Sequence, residues 1–377
     1  MSLSGEIVVM GRFDGGNPQC TSDIVKVDDL TFRIYPYSED RDDNYMFRVD
    51  VRACSSYRKP KRVTLFFEWR AWRAERYMDS RRIFYYKHED GEWKIKEGQV
   101  DGNVSTLTLE IPPGETIISL NPLYNYERLQ RYVRSIRKNP YVEAWIAGFS
   151  EENRNIWCIK LTDPRVSEEA KRKLMIIARV HPYETSGSYC VESMINYLLS
   201  GNPEASELLT KFIFYFVPMP NPDGVYNGLC KLTRVNGFDF SHGNVLTSRD
   251  KACKTVINLA RMIKPQFALD IHGHMIKNAE QLGCCNERLL REFLKLMPKP
   301  DPFNAGKQWK IYYRRYEPIE EKPKERAHYG FRRFCAEELG AIDFLLGFAW
   351  FGRKIEEMEE IAIISLKALT TAILRTL

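Results

Sequence analysis

Two histidines and a glutamate lie at or just after the ends of two predicted strands. The apolar segment LMIIARV (174–180) leads into His181 and Glu184, and the segment FALDI (267–271) leads into His272. In open α/β sheets, ligands bind beyond the carboxyl ends of the strands. We therefore expect the side chains of His181, Glu184 and His272 to lie close together, although His272 is far from the other two in the sequence.

These three residue types together indicate a metal site. Two imidazoles and one carboxylate form the ligand set of one class of catalytic zinc site, in which a water takes the fourth position. Bound zinc can lower the pKa of that water from about 16 to about 7. We therefore predict one zinc ion per chain, held by His181, Glu184 and His272. Asp270 lies two residues before His272, on the same side of the strand, where it could accept the second N–H of a ligand histidine.

A hydrolytic zinc site also needs a carboxylate that takes a proton from the water and passes it to the leaving group. The segment RFCAEEL (333–339) is predicted to be a further strand, and it would bring Glu337 or Glu338 to the same edge of the sheet. One of these two glutamates is expected to be a solvated residue at the strand end. The sequence therefore predicts a proton-transfer role for Glu337 or Glu338.

Each of these signals is weak on its own. A His-x-x-Glu pair also occurs in ion pairs on helix surfaces, and an isolated histidine is more often a hydrogen-bonded interior residue than a ligand. The tetrapeptide NPDG (221–224) is in itself a favourable turn. What favours a functional site is that several such residues follow strands of the same predicted domain.

The order of predicted elements indicates two domains. Residues 1–115 contain several short strands without helices between them, which favours a small all-β sandwich. The segment IPPGETIISLNP (111–122) is rich in proline and glycine and is predicted to break regular structure. In residues 120–377, strands alternate with helices, which predicts an α/β domain with a mixed, mostly parallel sheet flanked by helices.

Composition and charge limit the classes of function. The chain has 377 residues and a formal net charge of +6, without a long basic block, so binding to nucleic acid is not indicated. The longest apolar runs are too short to span a bilayer, and the nine cysteines lack a CxxC spacing. Because no signal peptide is visible either, we expect a cytoplasmic protein with free thiols.

Three segments, in this order, resemble the zinc metallocarboxypeptidase family of the carboxypeptidase A type. They are HPYETSG (181–187), NPDGVYNG (221–228) and DIHGH (270–274). The last of these, together with the N-terminal β domain, is most similar to the cytosolic carboxypeptidase branch. The resemblance implies zinc ligands at His181, Glu184 and His272.

The resemblance also bears on the two candidate catalytic glutamates. The family pattern aromatic-x-x-Glu selects Glu337, which lies three residues after Phe334. Burial favours the same residue, because Glu338 as catalyst would turn Glu337 unpaired into the helix layer. A Glu-Leu pair, which many members have, instead selects Glu338 before Leu339. Both residues therefore stay candidates, with Glu337 favoured.

The family's substrate-binding motif corresponds here to RVNGFDFSH (234–242). Arg234 matches the arginine that stabilises the oxyanion. The Asn-Arg pair that grips a terminal carboxylate is replaced by Ser241 and His242, and a histidine lacks the bidentate fork of an arginine. The family's mobile tyrosine has four candidates, namely Tyr312, Tyr313, Tyr316 and Tyr329.

The resulting hypothesis is zinc-dependent hydrolysis of a peptide or amide bond, carboxypeptidase-like, with water activated by zinc and a glutamate. Because of Ser241 and His242, a first alternative is a zinc amidohydrolase or deacylase that acts on a non-standard substrate such as an acyl-amino acid. A second alternative is a binding module without catalysis. The sequence does not predict the oligomeric state.

Overall fold

The N-terminal part of the computed structural model is a β-sandwich. The structure describes residues 5–16, 24–37, 39, 48–69, 81–274, 280–298, 309–313, 328–350 and 352–377. The strands of the N-terminal part are β1 (Ile7–Met10), β2 (Ile24–Asp28), β3 (Thr31–Ile34), β4 (Asp50–Ser55), β5 (Lys61–Glu68), β6 (Ile83–His88), β7 (Lys94–Glu97), β8 (Gln99–Asp101), β9 (Val104–Ile111) and β10 (Gly114–Ser119).

These strands form two sheets, in the orders β1-β4-β10-β6-β7 and β2-β3-β5-β9-β8. Alternate residues of β5, such as Val63, Leu65 and Phe67, are buried, as expected for strands with one face on a core. Val51 and Ile118 of the first sheet belong to the same apolar core, so the two sheets pack face to face. The all-β sandwich predicted from the sequence is thus confirmed.

The boundary segment differs from its prediction. Residues 111–122 were expected to break regular structure, but β10 lies within them and pairs with both β4 and β6. After Pro113, the β-branched residues Thr116, Ile117 and Ile118 favour an extended conformation. The division into residues 1–115 and 120–377 stays a prediction, and the first sheet extends to Ser119.

The second part is a sheet with helices on both faces. Its strands are β11 (Val142–Phe149), β12 (Asn155–Leu161), β13 (Arg172–Ala178), β14 (Phe212–Val217), β15 (Phe267–His274), β16 (Glu280–Cys284), β17 (Trp309–Tyr313) and β18 (Ile342–Ala349). The helices are α1 (Tyr126–Ile136), α2 (Thr185–Leu198), α3 (Pro203–Lys211), α4 (Pro222–Tyr226), α5 (Lys251–Ile263), α6 (Glu287–Leu296), α7 (Phe331–Leu339) and α8 (Ile355–Thr376).

The strands of this sheet follow the order β11-β12-β14-β13-β15-β18-β16-β17, and β13 pairs in parallel with both β14 and β15. Strand β18 continues the parallel set beside β15. Helices α2 and α8 bury apolar side chains on one face of the sheet, whereas α5 and α7 do so on the other. The predicted mixed, mostly parallel α/β sheet is confirmed.

The core on the α2 and α8 face also receives a side chain from the N-terminal part. Tyr85, on β6, is almost completely buried within that core. Its hydroxyl donates a hydrogen bond of 2.7 Å to the carbonyl oxygen of Arg353. The two parts of the chain therefore share apolar packing rather than meeting only at a polar surface.

The prediction of a strand at residues 333–339 is wrong, because these residues belong to helix α7. Phe331, Phe334 and Cys335 are buried, which is the i, i+3, i+4 spacing of an amphipathic helix. Gly340 ends the helix in the left-handed conformation, with φ of 68°. None of the described helices is both long and apolar enough to cross a bilayer.

Candidate metal centre

The turn between β13 and α2 carries the first two predicted ligands. Strand β13 ends at Ala178, and α2 begins at Thr185 with Glu184 as its preceding residue. Within the turn, Arg179 adopts φ of 61°, and its buried guanidinium donates hydrogen bonds of 3.1 and 2.7 Å to the carbonyl oxygen of Pro182. The side chain of Arg179 thus fixes the short path that presents His181 and Glu184.

The structure brings His181, Glu184 and His272 together at the carboxyl ends of β13 and β15. His181 Nδ1 lies 2.9 Å from Glu184 Oε1, and His272 Nδ1 lies 2.9 Å from Glu184 Oε2. The two imidazole centroids are 4.9 Å apart. One potential ligand atom from each residue lies within 4.8 Å of the other two. Both Nδ1 atoms therefore face the same carboxylate.

Each histidine is held from its other nitrogen by an aspartate. His181 Nε2 lies 3.1 Å from Asp239 Oδ1, and His272 Nε2 lies 3.0 Å from Asp270 Oδ2. Such carboxylate contacts fix the tautomer and the orientation of a metal-binding imidazole. The contact of Asp270 with His272 is the one expected from their spacing on the strand. Asp239 belongs to the motif RVNGFDFSH (234–242), and its approach to His181 depends on the loop that carries this motif.

The charges of this cluster support one another. Burial would raise the pKa of Glu184, but the positive charges of His181 and His272 more than offset it and hold the pKa far below its usual value. Burial would lower the pKa of His272, but the carboxylates of Asp270 and Glu184 raise it to about 10. The pKa of His181 is raised in the same way, mainly by Glu184. The cluster is therefore a buried site that attracts cations.

The three residues have the chemistry of a zinc ligand set. Imidazole nitrogen and carboxylate oxygen are both zinc ligands, and one potential ligand atom of each of the three residues lies within 4.8 Å of the other two. A divalent cation among these atoms would replace the protons that now join the imidazoles to Glu184. The donors present thus fit a zinc ion, with the two aspartates as outer partners.

The residue beside His272 on the neighbouring strand is a glycine. His272 pairs with Gly347 of β18, which in turn pairs with Gln281 of β16. Residues paired in this way project from the same face of a sheet. A Cβ added to Gly347 would lie 2.9 Å from Gln281 Cβ and 3.1 Å from Gln281 Oε1. The side chain of Gln281 therefore covers the space next to His272 that Gly347 leaves open.

The two candidate catalytic glutamates lie at the other end of the sheet. Ile342, which follows Glu338 closely, pairs with Phe267 at the start of β15. His272 lies five residues further along β15, and at about 3.3 Å per residue this corresponds to about 17 Å. Glu337 accepts a hydrogen bond of 2.8 Å from Arg333 Nε, and Glu338 accepts one of 3.2 Å from the Tyr329 hydroxyl. The expected approach of Glu337 or Glu338 to the zinc ligands is therefore not found.

Among the described residues, a lysine and not the expected Arg234 contacts the cluster. Arg234 is exposed in a turn, where its charge acts on Glu152 and helps to lower the pKa of that carboxyl. By contrast, Lys231 Nζ lies 3.3 Å from Asp239 Oδ2. Lys231 stands three residues before Arg234 in the same segment, and only the conformation of this loop distinguishes the two.

Ser241 and His242 both lie at the rim of the cluster. Ser241 Oγ is 3.5 Å from His272 Nε2, and the backbone N–H of Ser241 donates a hydrogen bond of 2.9 Å to Asp239 Oδ1. His242 Nδ1 lies 3.1 Å from Asp239 Oδ2, and its side chain is 58% exposed. Because Asp239 holds Nδ1, His242 would face a ligand through Nε2, whereas an arginine would present a fork.

The predicted loop tyrosines are only partly described. Tyr316 lies outside the described residues, and of Tyr312 and Tyr313 only the strand β17 is described. Tyr329 is buried, and burial together with the carboxyls of Glu337 and Glu338 raises its pKa. The hydroxyl of Tyr329 thus points to α7 and not to the cluster.

Comparison with known proteins finds a family model and solved structures that this chain resembles. Residues 130–241 match the family model described as zinc carboxypeptidase. The metallo-carboxypeptidase of Burkholderia cenocepacia has a TM-score of 0.81 and 18% identity, and the match covers 99% of this chain and 100% of that chain. A metallo-carboxypeptidase of Pseudomonas aeruginosa has a TM-score of 0.74 and 18% identity, with 97% and 99% covered. Residues 130–241 of this chain thus resemble a zinc carboxypeptidase domain, as the motifs predicted, and the fold is that of the two metallo-carboxypeptidases.

The similar curated proteins are cytosolic carboxypeptidases. Cytosolic carboxypeptidase 2 of Danio rerio is 33% identical over 201 residues, which cover 48% of this chain and 27% of that protein. Cytosolic carboxypeptidase 2 of Homo sapiens is 28% identical over 317 residues, which cover 73% of this chain and 34% of that protein. The aligned part thus spans about a third or less of these relatives.

Proposed function

We propose that this chain is a zinc-dependent, carboxypeptidase-like hydrolase of a peptide or amide bond. The observation that carries the proposal is that potential ligand atoms of His181, Glu184 and His272, from two separate strand ends, lie within 4.8 Å of one another. The fold likeness and the family match support the same reaction class. Zinc, when bound, would polarise the scissile carbonyl and lower the pKa of a bound water.

The residues of the chain have distinct roles in this proposal. His181, Glu184 and His272 hold the metal, and Asp239 and Asp270 keep the imidazoles in the tautomer that leaves Nδ1 free for it. Lys231, next to Asp239, brings positive charge to the rim of the site, where negative charge develops on a carbonyl oxygen during hydrolysis.

The carboxylates near the two imidazoles are already engaged, and this favours a second candidate function. Among the described residues, the carboxylates that contact the two imidazoles are Glu184, Asp239 and Asp270, and each is already hydrogen-bonded to a histidine. Gly347, next to His272, supplies no carboxylate. A centre of this kind would bind a peptide through its metal with little or no turnover, as in a binding module.

The rim of the site favours a substrate other than a plain peptide C-terminus. His242 is exposed and shares Asp239 with Lys231, so neither residue reproduces the bidentate grip of an arginine on a carboxylate. An acyl-amino acid, or a peptide whose terminal carboxylate contributes little to binding, would suit this rim. This is the amidohydrolase or deacylase alternative.

Metal content and turnover together test the proposal. Protein purified without chelator should contain about one zinc per chain, and His272→Ala and Glu184→Gln should each lower that content strongly. Zinc-loaded protein should then cleave members of a panel of peptides and acyl-amino acids. Wild-type protein without stoichiometric zinc would overturn the metal assignment. Bound zinc with peptide affinity but no cleavage would overturn hydrolysis and support the binding module.

A further inference from the structure

Two side chains of the N-terminal part reach the loops that form the metal centre. Arg48 lies just before β4 and is almost fully buried. Glu39 lies between β3 and β4. We infer that Arg48 and Glu39 are positioning residues of the metal centre, so that the β-sandwich helps to set its geometry. This inference rests on the metal site of the proposed function.

Arg48 holds the turn that contains the first two ligands. Its Nη1 donates hydrogen bonds of 3.3 Å to the carbonyl oxygen of Pro182 and 3.2 Å to that of Leu229. Its Nη2 donates one of 2.5 Å to the carbonyl oxygen of Gly15, and its Nε pairs with Asp50. Pro182 stands between His181 and Glu184, so a shift of its carbonyl group moves both ligands.

The carbonyl oxygen of Pro182 receives hydrogen bonds from two buried arginines. Arg179 approaches it from within the turn, and Arg48 approaches it from the β-sandwich. Hydrogen bonds from charged donors are stronger than those between neutral groups, and a buried one resists deformation. The turn that contains His181 and Glu184 is thus held by one arginine of the α/β part and by one arginine of the β-sandwich.

Glu39 holds the second loop of the centre. Its carboxylate accepts hydrogen bonds from the backbone N–H groups of Cys230 at 2.7 Å, Leu232 at 2.5 Å and Lys231 between them. Lys231 in turn reaches Asp239, the outer partner of His181. Glu39 therefore fixes the backbone from which that cation is presented.

The two loops are also joined to each other. The backbone N–H of Tyr183 donates a hydrogen bond of 3.0 Å to the carbonyl oxygen of Cys230. Arg48 bridges Pro182 and Leu229, which are the neighbours of these two residues in the sequence. The contacts of Arg48 and Glu39 consequently act on one connected framework and not on two separate loops.

The zinc affinity of the full chain tests this inference. Arg48→Lys keeps the charge opposite Asp50 but loses the fork that reaches three carbonyl groups, and Glu39→Ala removes the acceptor for three N–H groups. We expect each variant to bind zinc about 10-fold more weakly in competition with a chelator, as for other outer-shell changes. Glu39→Gln keeps an acceptor oxygen and should recover most of the affinity. The Arg52–Glu115 ion pair supplies control variants, Arg52→Lys and Glu115→Gln, because it joins a half-buried and an exposed side chain of the same sheet.

A second readout separates positioning from stability alone. Cobalt substituted for zinc has visible absorption bands that depend on ligand geometry, so the spectra of Arg48→Lys and Glu39→Ala should differ from those of the wild type and the controls. A lower Tm of the metal-free variants with unchanged zinc affinity and unchanged cobalt spectra would overturn the inference. If Arg48→Lys does not fold, the zinc affinity and cobalt spectra of the Glu39 variants test the inference. Failure of the wild type to bind metal would instead overturn the proposed metal centre.

Discussion

His272 lies opposite Gly347 in the parallel pairing of β15 and β18, so the position beside this imidazole carries no side chain. The side chain of Gln281, on β16, covers this glycine, and Gln281 Oε1 lies 3.1 Å from the position that a Cβ of residue 347 would occupy. An amide cannot accept a proton at neutral pH as a carboxylate does. The residues that surround His272 on this side thus offer hydrogen bonding without a base.

The first prediction concerns replacement of the Gln281 amide by a carboxylic acid. Gln281→Glu should raise kcat on a cleaved peptide or acyl-amino acid by about 100-fold, because general acid–base catalysis by a positioned carboxylate contributes at least this much. Gln281→Met is the control of similar size without an acid. Steady-state kinetics on protein with verified zinc content measures the effect. Equal kcat values for zinc-loaded wild type and Gln281→Glu would show that a carboxylate at this position does not reach the reacting atoms.

The second prediction concerns the two glutamates of α7. Glu337→Gln and Glu338→Gln should leave kcat and zinc content within twofold of the wild type, because both side chains lie near the start of β18, far from His272. Glu338→Gln should lower the free energy of unfolding by about 1 kcal/mol through its contact with Tyr329. A 100-fold fall in kcat with zinc retained would restore the catalytic role expected from the sequence.

The third prediction concerns the aspartate behind His181. Asp239→Asn should weaken zinc binding by about 10- to 100-fold, because it removes the charge that orients the imidazole and stabilises its metal-bound state. Asp29→Asn, at a side chain that is 82% exposed in the β-sandwich, is the control and should bind as the wild type does. Competition with a chelator measures both. A Kd for Asp239→Asn within twofold of the wild type would contradict the assigned role.

The fourth prediction follows from a buried carboxyl outside the metal centre. Glu280 pairs with Arg353, and burial raises the pKa of Glu280 from 4.5 to about 7. The folded state then holds a proton that the unfolded state releases from about pH 4.5 upwards, so stability is lost as the pH rises to about 7. The loss is on the order of 3 kcal/mol. Denaturant unfolding of wild type and Glu280→Gln between pH 4.5 and pH 8 should show this extra decline in the wild type only, and parallel curves would contradict it.

The fifth prediction concerns the rim residues Ser241 and His242. Because His242 is exposed and shares Asp239 with Lys231, removing a substrate's terminal carboxylate should cost little. We expect kcat/KM for a free-acid substrate to exceed that of its C-terminal amide by less than about 10-fold, whereas a dedicated polar pocket can discriminate by about 10⁴-fold. A ratio above about 1,000 would establish a true carboxypeptidase preference.

The predictable part of the site consists of residues that follow buried strands. The segments before His181 and His272 are apolar and continuous, so the strand ends, and with them the convergence of the ligands, could be read from local pattern. The position of Asp270 followed from the two-residue period of a strand. The all-β character of the N-terminal part was visible for the same reason.

The unpredicted part depends on loops and on contacts between distant segments. Helix α7 was mistaken for a strand because its apolar positions are few, although the spacing of Phe331, Phe334 and Cys335 and the stop at Gly340 do indicate a helix. Lys231, and not Arg234, contacts Asp239 because of the loop conformation, which no periodic pattern in the sequence predicts. Arg48 meets Pro182 across the interface of the two parts, and nothing local in either segment specifies that contact.

The burial of Tyr85 in the core of the α/β part has a consequence for how the molecule comes apart. Tyr85 from β6 belongs to the same apolar core as α8 and donates a hydrogen bond to the backbone at Arg353, so neither half keeps an intact interior when the other melts. The sandwich and the α/β layer should therefore behave as a single cooperative folding unit. A fragment that begins near residue 120 would expose this apolar surface to water, which favours aggregation over an isolated, folded domain.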